Sequence, residues 1–387
     1  MLMNTIEESR FLHLERKKIM FFIYRMGGGG AARTILNIVN HLDRQQFQPI
    51  LVTLDFNYTY EHDVRDDVTF IKLPVKRLRQ AIVPLMKLIR KEQPNLLFST
   101  VPNYNTIAIL AKLLSRTKTK LIVREAAYLG GTWNTNLKLK LYGLLYRFSD
   151  RVIALSNGVK DNLISRYHVP KEKISVIYNP VDIKHILTES EKEPEEPFLF
   201  REDKQTILTA GRLVEEKDHR TLFRAFAKLD DLENKQLIIL GEGELEGELK
   251  QLAKELGIFE QVYFLGFKRN PYAYMKRADV FALTSITEGF GHVLVEALAL
   301  GTPVVSTRCR PGAEEILGDG EFGLLVDVGD SDMFSAKLAE ALSLSEAEKV
   351  QLITKGKKRA RDFAVELIVR QYEQVFLQVI DEKMRKL

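Results

Sequence analysis

The chain has 387 residues, 45% of them hydrophobic and 28% charged, which excludes a disordered or fibrous protein and suits a soluble one with more than one core. A single cysteine, Cys309, rules out an intramolecular disulfide and any cysteine-cluster metal site. No segment approaches the roughly 18 uninterrupted apolar residues of a membrane span.

The net charge of +5 hides an asymmetry: residues 1–185 carry 29 Lys and Arg against 15 Asp and Glu, and the remainder 28 against 37. A basic first half suits an anionic membrane surface or a phosphate-linked partner, and with no recognisable nucleic-acid module beside it, nucleic acid is not expected. The start, MLMNTIEESRFLHLERKK, carries acids and no apolar h-region, so no secretory signal is read. The expected address is cytoplasmic, including the inner face of the plasma membrane.

In chain order, Lys18–Tyr24 reads as a buried strand, Met26–Ala32 as a glycine loop, and Arg33–Leu42 as an amphipathic helix. Strands follow at Pro49–Leu54, Phe70–Leu73, Leu96–Ser99, Leu121–Arg124, Arg151–Leu155 and Ile174–Ile177. Between them lie helical patterns, among them Thr106–Leu114 and Leu137–Phe148. Arg77–Lys91 is basic and amphipathic; Pro84 either kinks it or opens a second helix. That stretch (Lys76–Lys91) is the best membrane-surface candidate, with a solvated helix packed on the first sheet as the other reading. Trp133, beside Tyr128 and Leu129, reads as a packing residue before an acceptor or membrane contact.

Thr188–Pro197 is acidic with two prolines, a linker or surface loop. After it the alternation restarts at Thr206–Ala210, Gln236–Leu240, Val262–Leu265 and Ala278–Thr284, with Val304–Ser306 and Gly323–Val326 following. Val365–Lys386 is a long amphipathic helix with no obvious partner in its own half. The pattern predicts two doubly wound α/β domains. The first spans 1–185 and the second 186–364, with 365–387 returning to the first.

Ala278–Ser306 carries the densest chemistry. Its strand leads into Glu288-Gly289-Phe290-Gly291, then a helix over His292–Leu300 closed by Gly301. Glu288 lies in the loop and Glu296 in the helix. Free amides at the helix start attract an anion, so a carboxylate beside them suits sugar hydroxyls better than phosphate. Ordinary helix-end carboxylates explain either Glu alone equally well.

Two loops compete for a phosphate. Gly27-x-Gly29-x-x-Ala32, with Asp55 ending the next strand, fits a dinucleotide fingerprint and a nicotinamide-dependent oxidoreductase. Four consecutive glycines match many patterns, and Asp55 reads more simply as a turn residue. The other loop is Ala210-Gly211-Arg212-Leu213, with Lys217 five residues after Arg212, a guanidinium and an ammonium able to reach one diphosphate. Surface pairing with Glu215, Glu216 and Asp218 is the plainer alternative. His292 reads either as a neutral donor or as a backbone contributor only.

AGRLVEEKDH (Ala210–His219), LGEGELEGELKQLA (Leu240–Ala253), FLGFKRNPYAYMKRADVFALTS (Phe264–Ser285) and EGFGHVLVEALALGTPVVST (Glu288–Thr307) together resemble glycosyltransferase family 4, the retaining nucleotide-sugar enzymes of the GT-B fold. MGGGGAARTILNIVNHL and VIALSNGVKDNLI resemble the family's first half more loosely. The resemblance implies two Rossmann-like domains facing across a cleft. It implies a hexosyltransferase moving a sugar from a nucleotide diphosphate sugar, with a lean to uridine, onto a glycan or polyprenyl-linked acceptor in cell-surface polysaccharide synthesis. A nucleotide-sugar epimerase of the same fold is the nearest enzymatic rival.

By the same resemblance, Arg212 and Lys217 hold the diphosphate beside Gly211, Glu296 the ribose and Glu288 the sugar hydroxyls. The backbone of Gly289, Phe290, Gly291, His292, Val293 and Leu294 meets phosphate and sugar. Gly266, Phe267 and Lys268 lie near the base. Gly29 and Gly30 approach the phosphate or acceptor, and Arg33, where the family usually has an acid, meets an anionic acceptor. The segment Val123-Arg124-Glu125-Ala126 resembles one in polysaccharide-assembly members. Neither a cofactor nor a required metal is expected, since no carboxylate cluster of metal-binding character accompanies the two cations.

Overall fold

A computed structural model of the protein describes residues 16–27, 29–55, 59–130 and 132–381. The apolar runs become two parallel sheets, one in each of two units. The first unit takes the chain up to Ala154, Lys160–Pro180 and the stretch from Ile368; the second takes Leu155–Val159 and Val181–Leu367. The boundary thus falls a few residues before the expected one, because Val181 is bonded across to the chain end of the second unit: its N–H donates to Phe363 and its carbonyl accepts from Val365, each at 2.9 Å.

In the first unit the strands are β1 (Lys17–Phe22), β2 (Phe47–Leu54), β3 (Thr69–Leu73), β4 (Leu96–Thr100), β5 (Lys120–Glu125), β6 (Arg151–Ala154) and β7 (Ile174–Val176). They pair in the order β3-β2-β1-β4-β5-β6-β7, all parallel. The second unit holds β8 (Gln205–Ala210), β9 (Lys235–Leu240), β10 (Val262–Phe264), β11 (Val280–Leu283), β12 (Val304–Thr307) and β13 (Leu324–Val326), in the order β10-β9-β8-β11-β12-β13. Every residue of β4, β11 and β12 is buried, as expected of a parallel sheet covered on both faces. In each sheet the order reverses beside the first strand, between β1 and β4 and between β8 and β11. That is where a doubly wound sheet opens a crevice at its carboxyl ends.

The C-terminal helix, Val365–Asp381, closes the first unit's core. Phe376 lies 5.7 Å from Phe98, 6.2 Å from Phe21 and 6.3 Å from Phe47, ring centre to ring centre. Truncating such a ring costs about 3–5 kcal/mol. The fully buried Arg124 ties the same helix down: it donates to Tyr372 Oη at 3.1 Å, to Thr100 Oγ1 at 2.9 Å and to Asn179 Oδ1. A buried guanidinium requires such partners, and here they come from three separate stretches of chain.

Two surface expectations change. In the basic stretch a 3-10 turn, Leu78–Ala81, precedes a helix over Ile82–Glu92, and Pro84 falls in that helix's first turn, where no amide donor is needed. Its Leu85 and Ile89 are buried, so the apolar stripe of this membrane candidate faces the core. Trp133, read as packing, is instead 77% exposed. Among the described residues no helix is long and apolar enough to cross a membrane. The acidic stretch is docked rather than loose: Glu195 and Glu196 pair with Lys268, and Glu191 with Lys276.

Candidate active site

The crevice end of the second sheet is built from backbone before any side chain enters. Past the last residues of β8 and β9 the ladder continues through glycines: Gly211 N–H donates to Leu240 O at 2.9 Å, and Gly241 N–H to Gly266 O at 2.7 Å. A Cβ on Gly241 (φ +145°) would lie 1.9 Å from the Gly211 carbonyl oxygen, and one on Gly243 would lie 2.3 Å from that of Leu213. These glycines let neighbouring loops touch backbone to backbone and so fix the height of the loop carrying Arg212.

Lys217 leaves the same loop, and its ammonium pairs with the Glu288 carboxylate arriving from the loop after β11. Ser285 Oγ donates to the same Glu288 Oε1 at 3.0 Å, and Thr284 Oγ1 to the Lys217 carbonyl at 3.1 Å. The two loops flanking the order reversal are thereby stitched together. The plainer pairing does not form: Glu215 is taken by Arg220, at 2.5 and 2.9 Å, and Asp218 caps the helix His219–Phe226. Arg212 is exposed, and among the described residues its guanidinium has no partner. Its position is set from behind by His219, whose Nε2–H donates to the Arg212 carbonyl at 3.2 Å. Burial pushes this imidazole down to about 4, so it is neutral at pH 7. Cys309 is buried nearby, and burial, with the Glu288 charge, pushes its thiol up to about 12, too high for a nucleophile.

Gly291, in the left-handed region (φ 94°), caps the helix His292–Leu300, and Gly301 (φ 82°) ends it. First-turn amides of such a helix have no intrahelical acceptor and carry the positive end of its dipole. Behind them Phe290 is buried, with His292 and Phe363 at 5.4 and 5.3 Å from its ring. The loop's approach is held by Gly312, whose amide donates to Glu288 O at 2.9 Å and whose missing Cβ leaves room for the Phe290 carbonyl. Val293 is half-buried and Leu294 buried. Glu296 is 2% exposed, on the helix's second turn.

Gly266 (φ 70°) and the exposed Phe267 follow β10 at the same sheet end, and Phe267 N–H donates to Glu242 Oε1 at 3.3 Å. Lys268 is committed elsewhere: its ammonium bonds Glu195 and Glu196 at 2.5 and 2.7 Å, which raises its pKa above the usual lysine range despite the cost of burial. Sequence reading groups Gly241-Glu242-Gly243 with the Arg212 and Glu288 loops at one sheet end, but it missed Ser285, Thr284 and His219 as parts of this assembly. A hydroxyl three residues before Glu288 was the one available signal. It missed Glu315 too, which accepts from Gly158 N at 2.8 Å and Asn157 N at 3.0 Å at the start of the helix Asn157–Ser165.

The first unit carries its own loop at the equivalent reversal. Gly29 caps the helix Gly30–His41 without a side-chain bond, at φ −123°, and a Cβ there would meet nothing within 4 Å. Neither strain nor packing demands that glycine. Arg33, half-buried, follows in the first turn, its amide donating to Gly29 O at 3.1 Å. Gly28 lies outside the described residues. Across the reversal Tyr24 stacks on Tyr104 at 5.8 Å, with Arg25 over Tyr24. Asp55 is exposed just past β2. Deeper in, the wholly buried Glu125 accepts from Tyr146 Oη at 3.0 Å and Tyr167 Oη at 3.2 Å, and burial pushes its carboxyl up to about 7.

Two Rossmann-like units, one with a cation beside a carboxylate at its strand-order reversal, fit a glycosyltransferase of the GT-B fold, and comparison agrees. Residues 28–185 match the family model Glycosyltransferase Family 4, and residues 189–359 that of Glycosyl transferases group 1. The chain belongs to this family. It is 34% identical, across 90% of its own length and 96% of the relative's, to the N-acetylgalactosamine-N,N'-diacetylbacillosaminyl-diphospho-undecaprenol 4-alpha-N-acetylgalactosaminyltransferase of Campylobacter jejuni. It is 26% identical, across 85% and 89%, to a lipopolysaccharide core biosynthesis glycosyltransferase of Rhizobium meliloti. Anabaena HepE, solved with UDP, shares the fold at TM-score 0.79 and 22% identity over 93% of this chain and 100% of that one. A Rickettsia africae glycosyltransferase does so at 0.79 and 18%, over 95% and 99%. Neither the nicotinamide nor the epimerase alternative is favoured by these relatives.

Proposed function

We propose that this glycosyltransferase moves a sugar from a nucleotide diphosphate sugar, with retention at the anomeric carbon, onto a lipid-linked glycan at a membrane surface during cell-surface polysaccharide synthesis. The observation that carries the reading is the Lys217–Glu288 pair beside the His292–Leu300 helix start, at the order reversal of the second sheet. Breaking the anomeric C–O bond leaves negative charge on the diphosphate and positive charge on the sugar. Lys217, Arg212 and the backbone from Phe290 to Leu294, at the helix start, stabilise the former, the kind of preorganised electrostatics that is usually the largest catalytic term. Glu288, held by Ser285, takes the sugar hydroxyls, and Glu296 the ribose, which positions the donor for same-face attack. The nucleobase lies by Gly266 and Phe267; uridine is the base proposed, the one held by the Anabaena protein of this fold. Gly29, Gly30 and Arg33 serve the phosphate or the acceptor. With two cations at the diphosphate the proposed reaction requires neither a metal nor a cofactor.

The lipid-linked acceptor rests on the Campylobacter relative, whose name specifies a diphospho-undecaprenol substrate. The test is a panel of nucleotide sugars incubated with undecaprenyl-diphosphate glycans, with product mass and anomeric proton coupling read out. Release of nucleoside diphosphate with an α-linked product from an α-linked donor is expected. Absence of transfer from every donor, or an inverted product, would overturn the reading.

A further inference from the structure

Helix Trp133–Tyr146 is apolar on two sides, and only one of them is spent on the core. On the inner side Leu139, Gly143 and Tyr146 are buried. A Cβ on Gly143 would lie 1.7 Å from the Tyr167 carbonyl oxygen, so the helix backbone is pressed onto that segment. Tyr146 Oη donates to Glu125 and accepts from Asn105 Nδ2 at 2.9 Å. These contacts fix the rotation of the helix about its axis and so decide what faces out.

What faces out is Trp133, 77% exposed, with Leu137, Leu141, Leu144 and, just past the helix end, Phe148, each between 47% and 56% exposed. Steps of four, four, three and four residues put all five on one stripe. Soluble surfaces scatter exposed apolar side chains singly, and a line of five marks an interaction face. Lys138, Lys140 and Arg147, all exposed, flank it. A second copy docked through this face about a two-fold axis would set one cationic rim against another. An apolar stripe with an indole at one end, flanked by cations on a unit rich in Lys and Arg, matches an anionic bilayer surface.

We propose that the Trp133–Phe148 face docks the protein onto an anionic phospholipid bilayer, with the five apolar side chains at the headgroup boundary and the cations among the lipid phosphates. This deepens the proposed function by naming the face that meets the membrane, while its geometry stands without donor or acceptor. Trp133 is the chain's single tryptophan, so intrinsic fluorescence reports on this face alone. With the full-length protein and no substrate, vesicles of phosphatidylglycerol and phosphatidylcholine shift the emission to the blue and brominated lipids quench it. Pure phosphatidylcholine does so far more weakly.

Leu137→Ser with Leu141→Ser lowers partitioning at least tenfold, and Lys138→Gln with Lys140→Gln lowers it roughly fivefold per charge, an effect that high salt mimics. The thermal melt stays in place in both. Unshifted emission without cosedimentation overturns the proposal. So does a blue shift that needs only more protein and no lipid, which marks a second copy as the occupant. Transfer absent from every donor, with vesicle binding intact, defeats the proposed reaction and leaves the docking face standing.

Discussion

The two units share one kind of strand-order reversal and furnish it differently. At the reversal of the second sheet, glycines are demanded by the fold: Gly241 and Gly243 are glycine because neighbouring carbonyls occupy the Cβ positions. At the equivalent reversal of the first sheet, Gly29 has open space and ordinary backbone angles, so its missing side chain leaves room for something outside the fold. The second site holds a cation against a carboxylate, whereas the first offers stacked aromatics with Arg25 and Arg33 close in sequence. One scaffold thus carries a charge-dense site whose glycines are packed against neighbouring backbone and another whose Gly29 is not.

The largest effect that would test this contrast is Lys217→Ala, which removes the positive partner of Glu288. Turnover is expected to fall roughly 10²–10³-fold, with weaker nucleoside diphosphate binding by calorimetry and an unchanged melt. Wild-type kinetics in both Lys217→Ala and Arg212→Ala would break the assignment of the second unit.

Opposed pH dependences come next. Glu125, in the first unit, is pushed up to about 7 from 4.5 by burial, so the folded protein holds its proton more tightly than the unfolded chain. Stability from this group is full below about pH 4.5 and is lost as pH rises to about 7. His219, in the second, is pushed down to about 4 from 6.5. Its contribution is full above about pH 6.5 and is lost as pH falls toward 4. Each is worth about 3 kcal/mol across its window. Urea titrations between pH 4.5 and 7.5 should lose the falling component in Glu125→Gln and the rising one in His219→Gln.

Smaller effects separate the two glycine loops directly. Gly241→Ala is expected to cost roughly 1–3 kcal/mol in denaturant unfolding, because its Cβ must displace the Gly211 carbonyl. Gly29→Ala should leave stability within about 0.5 kcal/mol. Its turnover should nevertheless fall about tenfold, since a misplaced substrate, not a damaged fold, is the consequence. A melt lowered as far in Gly29→Ala as in Gly241→Ala would erase the contrast.

Most of the fold was legible because parallel strands are short apolar runs between helical patterns, and motif spacing placed Arg212, Lys217 and Glu288 in loops past strand ends and Glu296 within the helix that follows. Less legible were residues whose role depends on a distant neighbour. Lys268 is a basic residue in a loop until the folded chain brings Glu195 and Glu196 to it. His219 is one of seven scattered histidines until it meets the Arg212 carbonyl.

Local sequence therefore determined the alternation of elements, the order of the loops and the residue types those loops carry, since these follow from periodicity and turn chemistry within a few residues. Tertiary structure alone decided which charges pair and which faces stay exposed. Lys217 chose Glu288 over its nearest carboxylates because sheet order, not chain order, makes β8 and β11 neighbours. Lys76–Lys91 and Trp133–Phe148 differ in which apolar side chains stay exposed for a similar reason. The first is amphipathic by sequence and the second apolar on two sides, and only the packing of Leu85 and Ile89 inward and of Gly143 onto Tyr167 set which apolar residues were left facing out.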